Sequence, residues 1–207
     1  GVDIEASEAA TAALIGATGD SEGDYAGLLD IGDRYLALAT DGVGTKLLVA
    51  DALDDYSTVG VDCIAMNVND LVAAGVRPVA FVDYLAIDDP DDETAEQIGA
   101  GLADGAEQAD IELVGGETAV MPEVVKSLDL AGAAVGLAAK ERLFDGAAEP
   151  GDALVGWPSS GIHSNGLTLA RTATTRDHEY TDPCPFDGYD TVGEALLEPT
   201  RIYTDLL

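Results

Sequence analysis

Apolar residues recur along the chain with two periods, one typical of strands and the other typical of helices. Short runs of apolar and β-branched residues bounded by Gly, Pro or Asp predict strands. Three such runs are clear, and a fourth follows a loop rich in Gly, Pro and acidic residues. The predicted strands are residues 34–40, 78–87, 128–138 and 152–158.

Two further segments have helical periodicity, residues 58–75 and residues 89–109. The first ends on Gly75, a residue that commonly follows a helix C-terminus. In the second we predict Asp89 as the N-cap and Pro90 in the first turn. Its buried stripe, at i, i+4 and i+8, is Ile98, Leu102 and Ala106.

Strands and helices alternate along the chain, which predicts an α+β fold with α/β character. Gly, Pro and acidic residues cluster at 144–152, between two predicted strands, and indicate a domain boundary near Pro150. We therefore expect one domain at 1–149 and the beginning of a second at 150–207. Because the chain starts at Gly1 without Met and stops at "TDLL", we expect a fragment of a longer protein.

Composition adds an acidic character to this picture. The formal net charge is −31, from 40 acidic and 9 basic residues, while 47% of the residues are hydrophobic. Clustered Lys and Arg, which nucleic-acid binding needs, are missing, and no apolar run approaches the roughly 18 residues of a membrane span. Such a charge destabilises a compact chain in dilute buffer and is screened in molar salt. We therefore expect a cytoplasmic protein of a salt-accumulating halophile.

Two cysteines, Cys63 and Cys184, are too few and too distant for a metal or disulfide pattern. Cys63 stands among apolar residues and is expected to be buried, and Cys184 lies in a Pro-rich loop. We expect both to be structural.

The stretch "ATDGVGTKLLVA" at 39–50 resembles a phosphate-binding loop without the spacing of the P-loop, G-x-x-x-x-G-K-[ST]. Gly42 and Gly44 allow close backbone approach to an anion, and Lys46 is one of only three lysines in the chain. We expect Lys46 to contact a phosphate; the alternative is an ordinary exposed lysine.

Other acid- or glycine-bearing stretches fall where predicted elements end. Asn67 and Asp70 share one face of a helix, Glu117 follows two glycines, and "SSGIHSNG" fills 159–166. Carboxylates and an amide that converge with Asp41 would suit Mg²⁺ and a nucleoside triphosphate. Each feature also has an ordinary explanation as a surface acid, a helix cap or a tight turn.

Five motifs occur in one order: "TDGVGTKL", "NDLVAAG", "GGETAVMP", "SSGIHSNG" and "LLEPTRIY". Together they resemble the aminoimidazole ribonucleotide synthetase family, whose members are also called phosphoribosylformylglycinamidine cyclo-ligases. The resemblance runs over the whole chain and departs at Val120, where familiar members carry Glu. Familiar members also have residues before "GVDI" and a longer C-terminal domain.

The resemblance implies a mixed sheet flanked by helices on one face, in an N-terminal ATP-binding domain that forms a homodimer through its sheet. It implies ATP-dependent closure of formylglycinamidine ribonucleotide to aminoimidazole ribonucleotide through phosphorylation of the formyl oxygen. Magnesium accompanies the ATP, and K⁺ is a further candidate cation. No nucleic-acid or membrane partner is implied.

The resemblance also assigns residues to this reaction. The catalytic candidates are Asp41, Lys46 and His163, with His163 handling a proton or stabilising the phosphorylated intermediate. The metal candidates are Asp41, Asp70 and Glu117. The ATP-binding candidates are Asp41, Gly42, Gly44, Thr45, Lys46, Asn67, Asn69, Asp70, Gly115, Gly116, Glu117 and Thr118. The substrate-binding candidates are Ser160, Gly161, His163, Ser164 and Asn165.

Two alternatives remain open. One is a small-molecule kinase of the same superfamily, of the thiamine-monophosphate kinase type. The other is a nucleotide-binding dimerisation module without turnover, which the shortened second domain favours for this chain alone.

Overall fold

The structure is a computed structural model that describes residues 4–18, 25–144 and 146–207. Five strands form one sheet in the order β1-β2-β5-β3-β4. Only β3 and β4 run parallel, and the other neighbours are antiparallel, so the sheet is mixed as expected. The strands are β1 (Gly27–Asp30), β2 (Arg34–Gly42), β3 (Arg77–Ile87), β4 (Glu112–Val120) and β5 (Leu128–Ala139).

The α-helices lie before, between and after these strands, in keeping with the predicted α+β class. A short 3₁₀ turn at Gly44–Lys46 connects β2 to the second helix. The helices are α1 (Ile4–Thr18), α2 (Leu47–Leu53), α3 (Val59–Ala73), α4 (Asp92–Ala109), α5 (Leu167–Thr174) and α6 (Val192–Leu197).

Helix α3 packs directly on β2, β5 and β3, and α4 packs on α3. The two helices approach so closely that a side chain at Gly60 has no space. A Cβ there would lie 2.7 Å from the carbonyl oxygen of Ile98 and closer still to backbone atoms of Gly101 and Leu102. Glycine is therefore required at this crossing.

The core lies between α3 and the sheet. Along β5 the buried residues alternate with more exposed ones, as expected for a strand with one covered face. The predicted stripe of α4, Ile98, Leu102 and Ala106, is buried as expected. The same apolar cluster includes Leu167 and Leu196, so residues on both sides of the predicted boundary at Pro150 share one core.

The other face of the sheet carries apolar side chains that no described helix covers. We call this the open sheet face and define it by Leu38, Val82, Tyr84, Val114 and Val135. Leu38, Val82, Val114 and Val135 line one shallow depression there, and Tyr84 is 43% exposed. An uncovered apolar surface of this kind is typical of an interaction site.

Three predicted strands and both predicted helices are confirmed, with ends shifted by a few residues. The fourth predicted strand, 152–158, is wrong: no described strand pairs with it, and Leu154 and Trp157 are exposed. The predicted N-cap Asp89 is also wrong, because Asp91 accepts a hydrogen bond from the Thr94 N–H at 2.9 Å.

Candidate functional site

One row of residues crosses the sheet on the side that α3 covers. Asp41 of β2 is paired with Gly132 of β5, Gly132 with Asp83 of β3, and Asp83 with Gly116 of β4. A Cβ at Gly116 would lie 2.8 Å from Oδ2 of Asp83 and closer to its Oδ1, so the glycine leaves room for this carboxylate. Asp83 was not predicted, although it is the one acid within an apolar strand sequence, "FVDYLAI".

Asn67 of α3 fixes the end of β2. Its Oδ1 accepts the Asp41 N–H at 2.9 Å, and its Nδ2 donates to Asp41 O at 3.2 Å and to Cys63 O at 2.9 Å. The fully buried amide is thereby occupied with backbone partners. Asn67 thus orients the backbone of Asp41, and its direct contact with a ligand stays a prediction.

Asp70 lies one turn beyond Asn67 on α3 and is half-buried. Burial raises the pKa of Asp70, and the negative charge of Asp41 raises it further. The two carboxylates are therefore close enough to repel each other. A cation placed between them would relieve this repulsion.

Glu117 does not join this pair. It follows Gly116 on β4 and is paired with Tyr84, so strand alternation places it on the opposite side of the sheet from Asp41. Across residues 4–18, 25–144 and 146–207 no three His, Cys, Asp or Glu side chains are grouped to hold a metal ion. The ligand set Asp41, Asp70 and Glu117 stays a prediction, and of its three members only Asp41 and Asp70 lie on the same side of the sheet in the structure.

The remaining candidates on β4 flank Glu117. Gly115 is paired with Val82 of β3, directly after a shift in register that follows Phe81. Thr118 is paired with Leu85 of β3. Thr118 therefore lies on the helix side of the sheet and is exposed at its edge.

The glycine loop, residues 42–46, turns sharply away from β2. Gly44 has φ +70°, a left-handed conformation that favours glycine, and it is exposed. The Gly42 N–H donates to Oδ1 of Asp41 at 2.7 Å, and Thr45 Oγ1 lies 3.0 Å from Thr168 Oγ1. The loop thus presents Gly44 to solvent beside the Asp41 carboxylate.

Lys46, the lysine of the glycine loop, is buried. Its side chain is 0% exposed and Nζ lies 2.7 Å from Oδ1 of Asp62, which is also 0% exposed. Burial lowers the pKa of Lys46, while the charge of Asp62 acts in the opposite direction. In this structure the ammonium group points into the protein and is paired there, so the alternative of an ordinary exposed lysine is wrong and the phosphate contact stays a prediction.

Asp62, the buried partner of Lys46, was not among the sequence candidates. A signal existed, since it is the one acid within the apolar run 59–66 of a predicted helix. An ionisable residue in such a run is buried only when it is paired.

The loop 159–166, which we call the His163 loop, lies against the chain segment after α6. Ser160 Oγ donates to Pro199 O at 2.7 Å, and the Ser160 N–H donates to Nε2 of His163 at 3.2 Å. His163 has φ 59°, and a Cβ at Gly161 would lie 2.8 Å from Cβ of Glu198. Burial lowers the pKa of His163, and the charge of Lys46 adds to this.

The last candidates occupy different surroundings. Ser164 Oγ lies 3.4 Å from Oδ1 of Asp62, whereas Asn165 is exposed. Asn69 donates to Arg201 O at 2.8 Å and accepts the Tyr203 N–H at 3.0 Å. Asn69 therefore anchors the segment after α6. Separately, Cys63 of α3 is fully buried, as predicted.

Two family models match the chain. The model described as "AIR synthase related protein, N-terminal domain" matches residues 23–138, and its C-terminal counterpart matches residues 149–207. In the part of the chain that the structure describes, every helix is too short or too polar to cross a lipid bilayer.

Curated relatives from archaea are about half identical to the chain. A Methanosarcina mazei protein named phosphoribosylformylglycinamidine cyclo-ligase is 49% identical over 100% of this chain and 66% of its own length. A Thermococcus kodakarensis protein of the same name is 52% identical over 91% of this chain and 56% of its own length. The chain thus spans less than two thirds of these relatives.

Solved structures share the fold at lower identity. The crystal structure of a Thermus thermophilus protein has a TM-score of 0.62, with 23% identity over 92% of this chain and 60% of that one. Thiamine-monophosphate kinase from Stenotrophomonas maltophilia has a TM-score of 0.57, with 24% identity over 88% of this chain and 55% of that one. These likenesses support the fold and carry no assignment of activity.

Proposed function

Because the chain belongs to the AIR synthase related protein family, we propose that it is part of an ATP-dependent cyclo-ligase that converts formylglycinamidine ribonucleotide to aminoimidazole ribonucleotide. The observation that carries the proposal is 49% identity, over the whole chain, to a relative named for that reaction. The chain would contribute an N-terminal domain, 1–149, and the opening of a C-terminal domain, 150–207. Purine synthesis would place it in the cytoplasm.

The proposed reaction uses the γ-phosphoryl group of ATP to turn the formyl oxygen into a leaving group, after which a substrate nitrogen closes the ring. Phosphoryl transfer of this kind depends mainly on positioning and charge neutralisation. The residues of this chain would therefore act by holding charges and geometry.

Asp41 and Asp70 are the residues that would hold Mg²⁺. Their mutual repulsion and the raised pKa of Asp70 fit a site completed by a cation. Two carboxylates, with substrate phosphates and water, are a common ligand set for Mg²⁺ in nucleotide sites. The exposed Gly44 beside Asp41 gives a phosphate room to approach the backbone.

His163 would act on the substrate side. Its lowered pKa keeps the imidazole neutral near pH 7, with Nε2 accepting the Ser160 N–H. Nδ1 is then the nitrogen that carries the proton and could donate to an oxygen of the substrate.

We further propose that two copies associate through the open sheet face. Leu38 of β2, Val82 and Tyr84 of β3 and Val114 of β4 are exposed there, with β5 between β2 and β3. Covering this apolar surface by a second copy removes it from water, which is the main favourable contribution in most protein association.

The kinase alternative has weaker support. The thiamine-monophosphate kinases that match are 23–24% identical and show the fold alone, whereas the cyclo-ligase relatives are about 50% identical. ATP binding fits both possibilities, since one of those kinase structures is titled as a complex with AMPPCP and TMP.

The test is ADP release by the longest natural chain that carries this sequence, with Mg²⁺ and formylglycinamidine ribonucleotide in concentrated KCl. We expect release that requires the substrate and falls roughly 100-fold in Asp41→Asn, because a proposed ligand of the Mg²⁺ that neutralises the phosphates is lost. Asp104→Asn, on the exposed side of α4, is the matched control and should keep full activity. Replacing KCl by NaCl tests the K⁺ requirement.

Other outcomes would redirect the assignment. ADP release without the substrate would favour the kinase type. ATP binding without any turnover would favour a nucleotide-binding module.

A further inference from the structure

We propose that the buried Lys46–Asp62 ion pair is a positioning device that fixes the His163 loop against the glycine loop. This inference rests on the proposed function, because it assumes that His163 faces a substrate. Lys46 and Asp62 would act through His163 and would not themselves contact the reacting atoms.

One carboxylate oxygen joins four parts of the chain. Oδ1 of Asp62 accepts from Lys46 Nζ at 2.7 Å, from the Thr200 N–H at 2.9 Å and from Thr200 Oγ1 at 2.6 Å, with Ser164 Oγ at 3.4 Å. Lys46 Nζ also donates to Glu198 O at 2.8 Å. Helix α3, the glycine loop, the His163 loop and the segment 198–200 therefore meet at one point.

The pair is poorly arranged as a device for stability alone. Oδ2 of Asp62 is buried and has no hydrogen-bond partner among the described residues. Removing two charges from water costs free energy, and apolar side chains of similar volume often replace a buried ion pair without loss of stability. What this pair supplies that apolar residues would not is directional bonding to specific backbone groups.

Those bonds reach His163 through short links. Ser164 is the next residue, and Ser160 connects the loop to Pro199, directly beside Thr200. His163 itself has a left-handed φ of 59°. A non-glycine residue keeps such a conformation only where its surroundings hold it.

The charges of the pair also act on the His163 ring. Lys46 lowers the pKa of His163 and Asp62 raises it, after the lowering by burial. The Tyr203 ring also faces His163, with its centroid 6.4 Å away. Removing the charge of Lys46 and removing that of Asp62 should therefore shift the His163 titration in opposite directions.

The experiment compares Lys46→Met, Asp62→Asn and the double variant Lys46→Met/Asp62→Leu in the longest natural chain. We expect each single variant to lower the unfolding temperature by roughly 10 °C, because one buried charge is left unpaired. The double variant should recover part of that temperature, since no charge is left unpaired although the Thr200 N–H still loses its partner. Its kcat should stay roughly 100-fold low, with little change in the KM for ATP. The exposed pair Lys140 and Asp30, changed to Met and Asn, is the matched control and should change neither quantity.

A double variant with wild-type kcat would overturn the proposal, because the pair would then be replaceable packing. A second readout does not depend on turnover: His163 is titrated by NMR, with its signal identified by loss in His163→Gln. Lys46→Met should raise the His163 pKa and Asp62→Asn should lower it. A His163 pKa that is the same in both variants and the wild type would overturn the proposal. If the His163 pKa shifts as expected but the protein has no cyclo-ligase turnover, only the proposed function is contradicted.

Discussion

At the scale of single residues, burial and existing hydrogen bonds decide which side chains remain available to a ligand. Asn67 is occupied by backbone groups, and Lys46 is paired with Asp62. Asp41 and Asp70 keep carboxylates near one another and within reach of solvent. The acids, more than the lysine, therefore define this site.

His163 should give the protein a pH dependence with a definite sign. Its pKa lies below the ordinary 6.5, because burial and Lys46 disfavour the imidazolium form. Folding is thus favoured by the neutral ring, and this contribution is present above about pH 6.5 and is lost as the pH falls through the lowered pKa. We expect both kcat and the unfolding midpoint to decrease on acidification.

The measurement is a series of kcat values and melting curves from about pH 8 down to about pH 5. His163→Gln should lose the acid limb that comes from the lowered pKa, whereas His178→Gln, at an exposed position, should keep it. An unchanged limb in His163→Gln would show that another group titrates.

At the scale of elements, α3 is the helix that organises the site. Its Asp62 is bonded to the glycine loop, and its Asn67 is bonded to β2. Its Asn69 is bonded to the segment after α6, and its Asp70 would bind the proposed cation. Its position depends on the close contact with α4, where Gly60 meets the backbone of Gly101 and Leu102.

Two glycine-to-alanine changes separate helix propensity from this packing. Gly60→Ala should destabilise the protein by about 3 kcal/mol or prevent folding, because the new Cβ meets backbone atoms that cannot move aside. Gly99→Ala lies in the same helix pair with open space around it, and should stabilise by about 0.5–1 kcal/mol. Urea unfolding measures both, and equal effects would contradict the close contact.

At the scale of the whole molecule, two properties concern the surface: the charge of −31 and the apolar open sheet face. The acids of α4 show how the charge is distributed, since Glu96, Asp104 and Glu107 are all exposed. Repulsion among such residues opposes folding at low salt. The halophilic character stays a prediction with a direct test.

The unfolding temperature should rise by roughly 10 °C or more between about 0.1 M and about 2 M KCl, as screening removes the repulsion. The variant Glu96→Gln/Asp104→Asn/Glu107→Gln should be less dependent on salt. Sorbitol is the uncharged control for exclusion of solutes from the surface. An unfolding temperature independent of KCl would contradict a halophilic adaptation.

The open sheet face predicts a dimer that a single charge can disrupt. Val82→Glu would bury an unpaired carboxylate and should weaken association roughly 100-fold. Leu169→Glu, at an exposed apolar residue of α5, is the matched control and should leave association unchanged. Sedimentation velocity in concentrated KCl measures both, and a monomeric wild-type protein would contradict the proposed interface.

The sequence by itself determined the features that depend on neighbours in the chain. Three strands, two helices and the stripe Ile98, Leu102 and Ala106 follow from local periodicity. The five ordered motifs indicated the family, which the comparisons confirm. Local pattern misled at 152–158, because an apolar run becomes a strand only where another strand pairs with it.

Only the tertiary structure decided which residues meet. Lys46 and Asp62 are 16 positions apart, and Asp62 and Thr200 are 138 apart, so no local pattern pairs them. The side of the sheet that Glu117 faces was likewise set by the register of β4 on β3. Spacing along a chain limits which partners can come together, whereas burial of a shared core selects which of them do.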